Sequence, residues 1–308
     1  MMTLNKEGNA FPSLQPPAAF SATPSPRGSA PKTPPQFPLL IGTSGYDYPE
    51  WKGVFYPQDL KRKDFLSYYA SQFNALELNN TFYNMPTSGR LLSFYERSGG
   101  LLQFSIKANR LLTHEIPRNW QAAATDFHAA IAPLAEKASL CAVLFQFPQS
   151  FHYTDENRIY LAKLISLFQG LPLVIEFRHI EWIKESVLTG LEQRNASLCF
   201  CDMPQLKALP NMVVTTNSTS RMTPFIGPIA YIRLHGRNAD AWYANPETDT
   251  SQNGSSRYTY DYSDSELAEF VPVIQNAILT GKKPVVFFNN HPNGSGARNA
   301  GKLKELLQ

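Results

Sequence analysis

Cysteine is scarce in this chain of 308 residues, which has only Cys141, Cys199 and Cys201. An odd number of cysteines inside apolar runs argues against a disulfide framework and is typical of reduced core cysteines in a cytosolic protein. The spacing of Cys199 and Cys201 does not fit a zinc knuckle, and no further set of Cys or His partners accompanies them.

Long apolar runs are also absent. The sequence has no stretch of about 20 apolar residues, the length that a transmembrane helix requires. Its N-terminus lacks the basic and then apolar order of a secretory signal. We therefore predict no membrane-spanning helix and a cytoplasmic location.

The chain has only a small excess of positive over negative charges. The formal net charge is +3, and Lys6, Arg27 and Lys32 against Glu7 contribute +2 of it within residues 1–38. The rest of the chain is left with about +1, whereas proteins that bind the nucleic-acid backbone usually carry a basic face and a higher pI. Bulk charge therefore gives no support for nucleic-acid binding, although it leaves room for a local basic pocket.

Proline is concentrated at the N-terminus, where eight of the 24 prolines lie in residues 1–37 among Ser, Ala and Thr. Such a segment has too few large apolar side chains to offset the entropy of ordering it. We predict a disordered tail over residues 1–37 and one folded domain over 38–308. The tail is either an inert extension or a segment that docks an aromatic groove of another protein.

From residue 38 onward, strand-length apolar runs alternate with segments of helical spacing. The predicted strands are residues 39–45, 75–79, 103–107, 140–146, 173–178, 197–202, 231–237 and 285–289. Thr154 is a plausible helix N-cap, and Ser263 with Glu266 has the spacing of a capping box. Pro272, inside the helix that follows, is expected to kink that helix or to reset its start.

Eight strands alternating with helices favour a single α/β domain of the (β/α)8 TIM-barrel type, which is usually built from about 250 residues. The competing fold is a doubly wound open sheet. A dinucleotide-binding sheet of that kind carries a Gly-x-Gly-x-x-Gly turn after its first strand, and residues 42–45 do not match it. The sequence therefore predicts a barrel.

Polar side chains occur near the end of seven of the eight predicted strands, on one parity of the two-residue period. They are Glu77, Asn79, Lys107, Gln146, Glu176, Arg178, Asp202, Arg233, His235 and Asn289. In a closed barrel these residues converge at the C-terminal mouth, where barrel active sites lie. The pattern favours a ligand site, with a purely structural ion-pair network as the alternative.

The charges of this set balance and indicate an anionic or polyhydroxylated ligand. Barrels commonly bind phosphate through the loops after strands seven and eight. Those loops carry Arg237 and the turn at 293–296 with Arg298, although an ordinary glycine-rich helix start explains the turn equally well. Aromatic residues in loops near the mouth either stack on a sugar or nucleobase or pack as a lid. They are Tyr46, Tyr48, Trp51, Phe82, Tyr83, Trp242 and Tyr243.

A divalent metal is the less favoured interpretation. Carboxylates and one imidazole are present in the set, but neighbouring Lys107, Arg178 and Arg233 would compete for the carboxylates. We therefore predict no metal ligands and leave the cofactor open.

Several motifs together resemble the YecE-like family, a domain of unknown function (number 72). They are IGTSGY at 41–46 with Trp51, ELNNTFY at 77–83, FSIKA at 104–108, QFP at 146–148, EFRH at 176–179, YIRLHG at 231–236 and FNN at 288–290. The resemblance spans about residues 39–307. It implies a TIM-type barrel, bacterial or archaeal cytosolic proteins as the usual bearers, and no established activity. The tail and the tyrosine-rich insertion around residues 251–262 lie outside the typical pattern.

Three functions remain open at this point, and whether the protein is an enzyme is itself undecided. The first is acid–base catalysis on a phosphorylated or sugar-like metabolite, with Glu77 or Glu176 as base or acid. Lys107, Arg178 and Arg233 would then hold the anion and His235 would shuttle a proton. The second is a metal-dependent hydrolase or isomerase resembling endonuclease or xylose-isomerase barrels. The third is a non-catalytic module that binds a nucleotide or nucleic acid.

Overall fold

The computed structural model describes residues 39–210, 225–242 and 256–308. The predicted tail, Tyr243 and residues 251–255 of the tyrosine-rich insertion lie outside the described residues. Parallel strands form a nearly closed barrel surrounded by helices, which confirms the predicted barrel class. The strands are β1 (Leu40–Ser44), β2 (Ala75–Leu78), β3 (Gln103–Lys107), β4 (Leu140–Gln146), β5 (Leu173–Glu176), β6 (Ser197–Leu198), β7 (Phe200–Asp202), β8 (Ile229–Leu234) and β9 (Lys283–Phe288).

The described part of the chain contains nine strands, in the order β6-β5-β4-β3-β2-β1-β9-β8-β7, one more than the eight predicted because one predicted strand forms two. The predicted sixth strand is split at Cys199. Its first half, β6, pairs with β5, and its second half, β7, pairs with β8. The backbone N–H of Cys199 still donates to the carbonyl oxygen of Ile175 at 2.8 Å. The chain therefore changes its pairing partner at this residue, where the barrel approaches closure.

The two-residue period of the strands sorts their apolar side chains into two layers. One cluster fills the inside of the barrel and includes Ala142, Val174 and Val285. The other lies between the barrel and the helices and includes Ile106 and Ile232. Apart from Cys141 and Ala142 of β4, adjacent apolar residues of one strand therefore belong to different layers, and parity determines whether a side chain enters the barrel.

Helices follow most of the strands, and no described helix is long and apolar enough to cross a membrane. They are α1 (Phe65–Gln72), α2 (Asn80–Tyr83), α3 (Ser88–Arg97), α4 (Trp120–Glu136), α5 (Asp155–Leu167), α6 (Glu185–Gln193), α7 (Asp264–Ala268), α8 (Phe270–Leu279) and α9 (Ser295–Leu306). The three cysteines are buried and free, as expected.

The predicted helix signals are confirmed. The Thr154 hydroxyl accepts from the backbone N–H of Asn157 and begins α5. Ser263 and Glu266 form both bonds of a capping box at the start of α7. The helical segment is interrupted between α7 and α8, three residues before Pro272. Pro272 is the third residue of α8, where a backbone N–H has no acceptor within the helix, so a proline is tolerated there and the helix restarts close to it.

Candidate functional site

Arg233 of β8 lies at the centre of the C-terminal half of the barrel and bridges two carboxylates from strands that are not its neighbours. Its Nη2 donates to Glu77 Oε1 of β2 at 2.7 Å, and its Nη1 donates to Glu176 Oε2 of β5 at 2.7 Å. The three side chains are at most 2 % exposed. Burial alone would disfavour the charged guanidinium, but Glu176 and Glu77 outweigh burial and keep the pKa of Arg233 above its usual value.

Both oxygens of Glu77 accept hydrogen bonds from inside the barrel. Oε1 accepts from Ser44 Oγ at 2.6 Å in addition to Arg233, and Oε2 accepts from the Tyr231 hydroxyl at 2.7 Å. The Tyr231 hydroxyl also lies 2.6 Å from Ser105 Oγ. Ser44, Ser105 and Tyr231 were not predicted as site residues. Tyr231 has the same strand parity as Arg233 and His235, and this signal could have identified it.

Glu176 connects Arg233 to a second group of hydrogen-bonded side chains at the mouth, which consists of Arg178, His235 and Asn289. Its Oε1 accepts from Arg178 Nε. Burial opposes ionisation of Glu176, but the guanidinium groups of Arg178 and Arg233 outweigh burial and hold its pKa well below the usual range. Arg178 Nη2 lies 3.1 Å from His235 Nε2, and the side-chain amide of Asn289 lies 3.0 Å from His235 Nδ1.

His235 is neutral in this arrangement. Burial and then the nearby Arg178 and Arg233 lower its pKa well below the ordinary value for histidine. Because a guanidinium only donates, Nε2 must accept, and the neutral ring carries its proton on Nδ1. The Asn289 amide nitrogen is the atom that faces Nδ1 in the structure, so a proton on Nδ1 requires the amide to be turned until its oxygen accepts from the ring.

Lys107, at the end of β3, is a cation near this network that forms no ion pair with its carboxylates. Within the described parts of the chain its ammonium has no hydrogen bond and no ion pair, and it lies 4.4 Å from the centre of the Phe82 ring. Burial first, and then the positive charge of Arg233, lower the pKa of Lys107 to about 7. Its amine is therefore divided between the charged and the neutral form near neutral pH.

Further groups near the mouth were not assigned roles from the sequence. Burial, followed by the charge of Lys107, lowers the pKa of His114 to about 4, and the His114 ring packs against Phe82 at 4.7 Å. Trp242 and Tyr258 lie 6.2 Å and 6.1 Å from the His235 ring, measured between ring centres. The sequence predicted Trp242 near the mouth because it lies in a loop after a strand. His114 and Tyr258 do not lie at the end of a strand, so the strand pattern did not identify them.

Asp202 and Arg237 belong to a separate cluster. Arg237 Nε pairs with Asp202 Oδ2 at 3.0 Å, and its Nη2 pairs with Glu269 Oε2 at 2.8 Å. The Tyr262 hydroxyl donates to Asp202 Oδ2 at 2.7 Å. The polar residues expected to form one charge-balanced ring therefore form two separate groups. One is centred on Arg233, and in the other Arg237 pairs with Asp202 and Glu269.

The remaining predicted residues lie at varied places around the mouth. Gln146 is in register with Glu176 on the neighbouring strand and donates to the Phe147 carbonyl at 3.3 Å. Asn79 and Tyr46 line a cavity of about 480 Å³ together with Arg90 and Arg97 of α3.

Trp51 is fully buried, and its indole N–H donates to the carbonyl oxygen of His291 at 2.8 Å. Tyr83 is 68 % exposed. At the turn proposed for phosphate, Arg298 donates to the carbonyl of Asn293 at 2.7 Å and to Asp261 at 2.9 Å. These contacts favour the ordinary helix start over a phosphate site at that turn.

Glu176, Cys201 and His235 offer ligand atoms that all lie within 4.8 Å of one another. This is the spacing of a metal centre, but Arg178 donates to Glu176 and to His235 Nε2, and Arg233 donates to Glu176. The lone pairs that a cation needs are therefore already engaged by guanidinium groups. The donor set fits a metal ion poorly in this arrangement.

Comparison with known proteins gives one consistent family. The family model described as "Protein of unknown function DUF72" matches residues 40–308. The UPF0759 protein YunF of Bacillus subtilis is 26 % identical over 281 residues, which cover 87 % of this chain and 94 % of that protein.

Two crystal structures of DUF72 family proteins are similar to this chain, and each alignment covers 87 % of it. The protein from Thermotoga maritima has a TM-score of 0.74 and 30 % identity, with 98 % of that chain covered. The protein from Enterococcus faecalis has a TM-score of 0.70 and 25 % identity, with 95 % of that chain covered.

Proposed function

The chain belongs to the DUF72 family of proteins of unknown function, and we propose that its barrel mouth binds a small anionic metabolite and transfers a proton to or from it. Phosphorylated and acidic sugars are the substrate class that this chemistry fits. The observation that carries the proposal is Lys107, a lysine at a strand end with no ion-pair partner among the described residues and a pKa lowered to about 7.

The charge of the site supports an anionic ligand. Glu77 and Glu176 carry two negative charges, which Arg233 and Arg178 balance at close range. Lys107 adds a positive charge that no described carboxylate pairs with. A ligand carboxylate or phosphate beside Lys107 would supply the missing negative charge in a partly buried place, where such pairing is stronger than in water.

The lowered pKa of Lys107 supports proton transfer. A catalytic acid or base works best when its pKa lies near the pH at which it operates. Glu77 and Glu176 are fully buried, and each accepts at least two hydrogen bonds, so they serve as fixed anions that position Arg233. His235 is a positioning residue for Arg178 in this scheme. Lys107 takes the proton-transfer role that the sequence pattern assigned first to the two glutamates.

The two alternative functions have weaker support. A metal-dependent hydrolase would need free lone pairs at Glu176 and His235, which the guanidinium groups occupy. A nucleic-acid module would need an extended basic face, and the formal charge of +3 gives no support for one.

The decisive experiment pairs Lys107→Arg with Lys107→Met. We expect a thermal-shift panel of sugar phosphates and their unphosphorylated sugars to show stabilisation by phosphorylated compounds only. Arginine keeps the positive charge but does not titrate near neutral pH. Lys107→Arg should therefore retain binding and lose turnover of the best-binding compound by about 100-fold or more, whereas Lys107→Met should lose both.

Lys137→Met is the matched control, because Lys137 also lies over an aromatic ring, 5.1 Å from the centre of Tyr95. It should leave binding and turnover unchanged. Acetylation of Lys107 followed by mass spectrometry across pH 5–10 should show half-maximal reactivity near pH 7. Full turnover in Lys107→Arg, or reactivity that appears only at strongly alkaline pH, would exclude Lys107 as the proton-transfer group.

A further inference from the structure

Two histidines and a glutamate from adjacent loops lie together outside the Arg233 network. His152 lies between β4 and α5, and His179 and Glu181 lie between β5 and α6. Glu181 Oε2 lies 3.2 Å from His152 Nδ1 and 3.6 Å from His179 Nδ1. The three ligand atoms all lie within 4.8 Å of one another.

These separations match what a tetrahedral ion requires. Zinc binds imidazole nitrogen and carboxylate oxygen at about 2.0–2.2 Å, so two ligands of one tetrahedral ion lie about 3.4 Å apart. The observed distances of 3.2 Å and 3.6 Å fall on either side of this value. Two imidazoles with one carboxylate form a ligand set that zinc uses when its fourth position is left to water or substrate.

The carboxylate is already oriented for this role. The backbone N–H of Tyr153 donates to Glu181 Oε2 at 3.2 Å, which resembles the outer hydrogen bonds that orient metal ligands. The backbone N–H of Glu181 also reaches His179 Nδ1, at a long 3.3 Å, and a bound ion would replace this contact. His152 and Glu181 side chains are 54 % and 46 % exposed, so an ion can enter from solvent.

We propose that His152, His179 and Glu181 form a zinc site that joins the loops after β4 and β5. These loops directly follow Gln146 and Glu176, so the ion would hold two segments of the barrel mouth together. The proposal is independent of the function of Lys107, because the two rest on different residues.

The test uses the full chain without an affinity tag, stripped with a chelator and desalted. Titration calorimetry with zinc chloride should show one ion bound per chain with a dissociation constant in the micromolar range or below. Cobalt chloride should give the intense visible absorption of a tetrahedral site. His152→Ala, His179→Ala and Glu181→Gln should each weaken zinc binding by about 100-fold, because removal of even an outer partner costs 10–100-fold.

Two controls separate this site from other donors. His128→Ala removes a histidine of α4, and Cys201→Ser removes a donor of the buried Glu176, Cys201 and His235 group. Both should bind zinc as the parent does. At a zinc concentration 100 times the dissociation constant, the melting temperature of the parent should rise by about 5 °C, and that of Glu181→Gln should not.

Absence of zinc binding below millimolar concentration would overturn the proposal. Binding that survives all three substitutions would also overturn it, as would binding that Cys201→Ser removes. Circular dichroism of each metal-free variant verifies that the loss of binding is not a loss of folding.

Discussion

Arg233→Met removes the guanidinium that contacts both buried carboxylates, while it keeps much of the side-chain volume. The substitution breaks two ion pairs of 2.7 Å, to Glu77 and to Glu176. Glu176 keeps Arg178, but Glu77 is left with only the hydroxyls of Ser44 and Tyr231. The variant therefore contains a fully buried carboxylate without a cation in contact.

Loss of one partner from a buried pair costs about 3–5 kcal/mol, because the remaining charge is desolvated and uncompensated. We expect Arg233→Met to lower the free energy of unfolding by at least this amount. Arg237→Met is the matched control, since Arg237 pairs with three carboxylates, Asp202, Glu266 and Glu269, but its side chain is 30 % exposed. Partly exposed pairs contribute about 0–1 kcal/mol each, so the control should lose about 1–2 kcal/mol in total, less than Arg233→Met loses.

Urea unfolding at pH 7 measures both variants, with a constant m-value as the sign that only stability has changed. The pH dependence gives a second readout. Arg178 and Arg233 hold the pKa of Glu176 below its usual range despite burial, so ionised Glu176 adds stability above the unfolded-state pKa of about 4.3. The parent should lose this stability as the pH falls below that value. The variant has less to lose, so the difference between parent and variant should narrow.

Glu77→Gln combined with Arg233→Met completes a double-mutant cycle. The double variant removes a charge together with its partner, so it should be more stable than the sum of the two single losses predicts. A loss in Arg233→Met no larger than that in Arg237→Met, or an additive cycle, would contradict the assignment of Arg233 as the compensating charge.

Two smaller predictions concern the interior of the barrel. Tyr231→Phe removes a donor to Glu77 at 2.7 Å and should lower the free energy of unfolding by about 1–3 kcal/mol in urea, because a buried acceptor loses a partner. Gly42→Ala should prevent folding or cause a large loss of stability, since a Cβ there would lie 1.9 Å from the carbonyl oxygen of Ala75. Gly301→Ala, where a Cβ meets nothing within 4 Å, should leave the melting temperature within a few degrees of the parent.

The barrel was predictable because its main signal is local. Alternation within a strand determines which side chains enter the barrel, and this period alone brings Glu77, Glu176 and Arg233 to the same interior from distant parts of the chain. The split at Cys199 was not predictable in this way. Residues 197–202 have one continuous apolar pattern, whereas the break depends on which neighbouring strand each backbone segment pairs with.

The sequence also did not show which cation pairs with which carboxylate in the site. Asp202 ends a strand as Glu176 does, but it contacts Arg237 and Tyr262 rather than Arg233. Which cation a carboxylate selects depends on the distance across the barrel and on side chains from late helices. Residues outside the strand ends, such as His114, had no periodic signal at all.

The energetic cost of the Arg233 network is itself an argument for a site. Replacing a buried ion network with well-packed apolar residues is often neutral or stabilising, so stability alone does not explain the four charged side chains of this network inside a barrel. The interior toward the N-terminal ends of the strands is apolar, with Val174 of β5 and Val285 of β9. The change from apolar to charged residues occurs along the strands, toward the end where barrels bind ligands. A fixed, internally balanced set of charges under Lys107 needs no rearrangement when an anion arrives, and such preorganisation is what a binding or catalytic site requires.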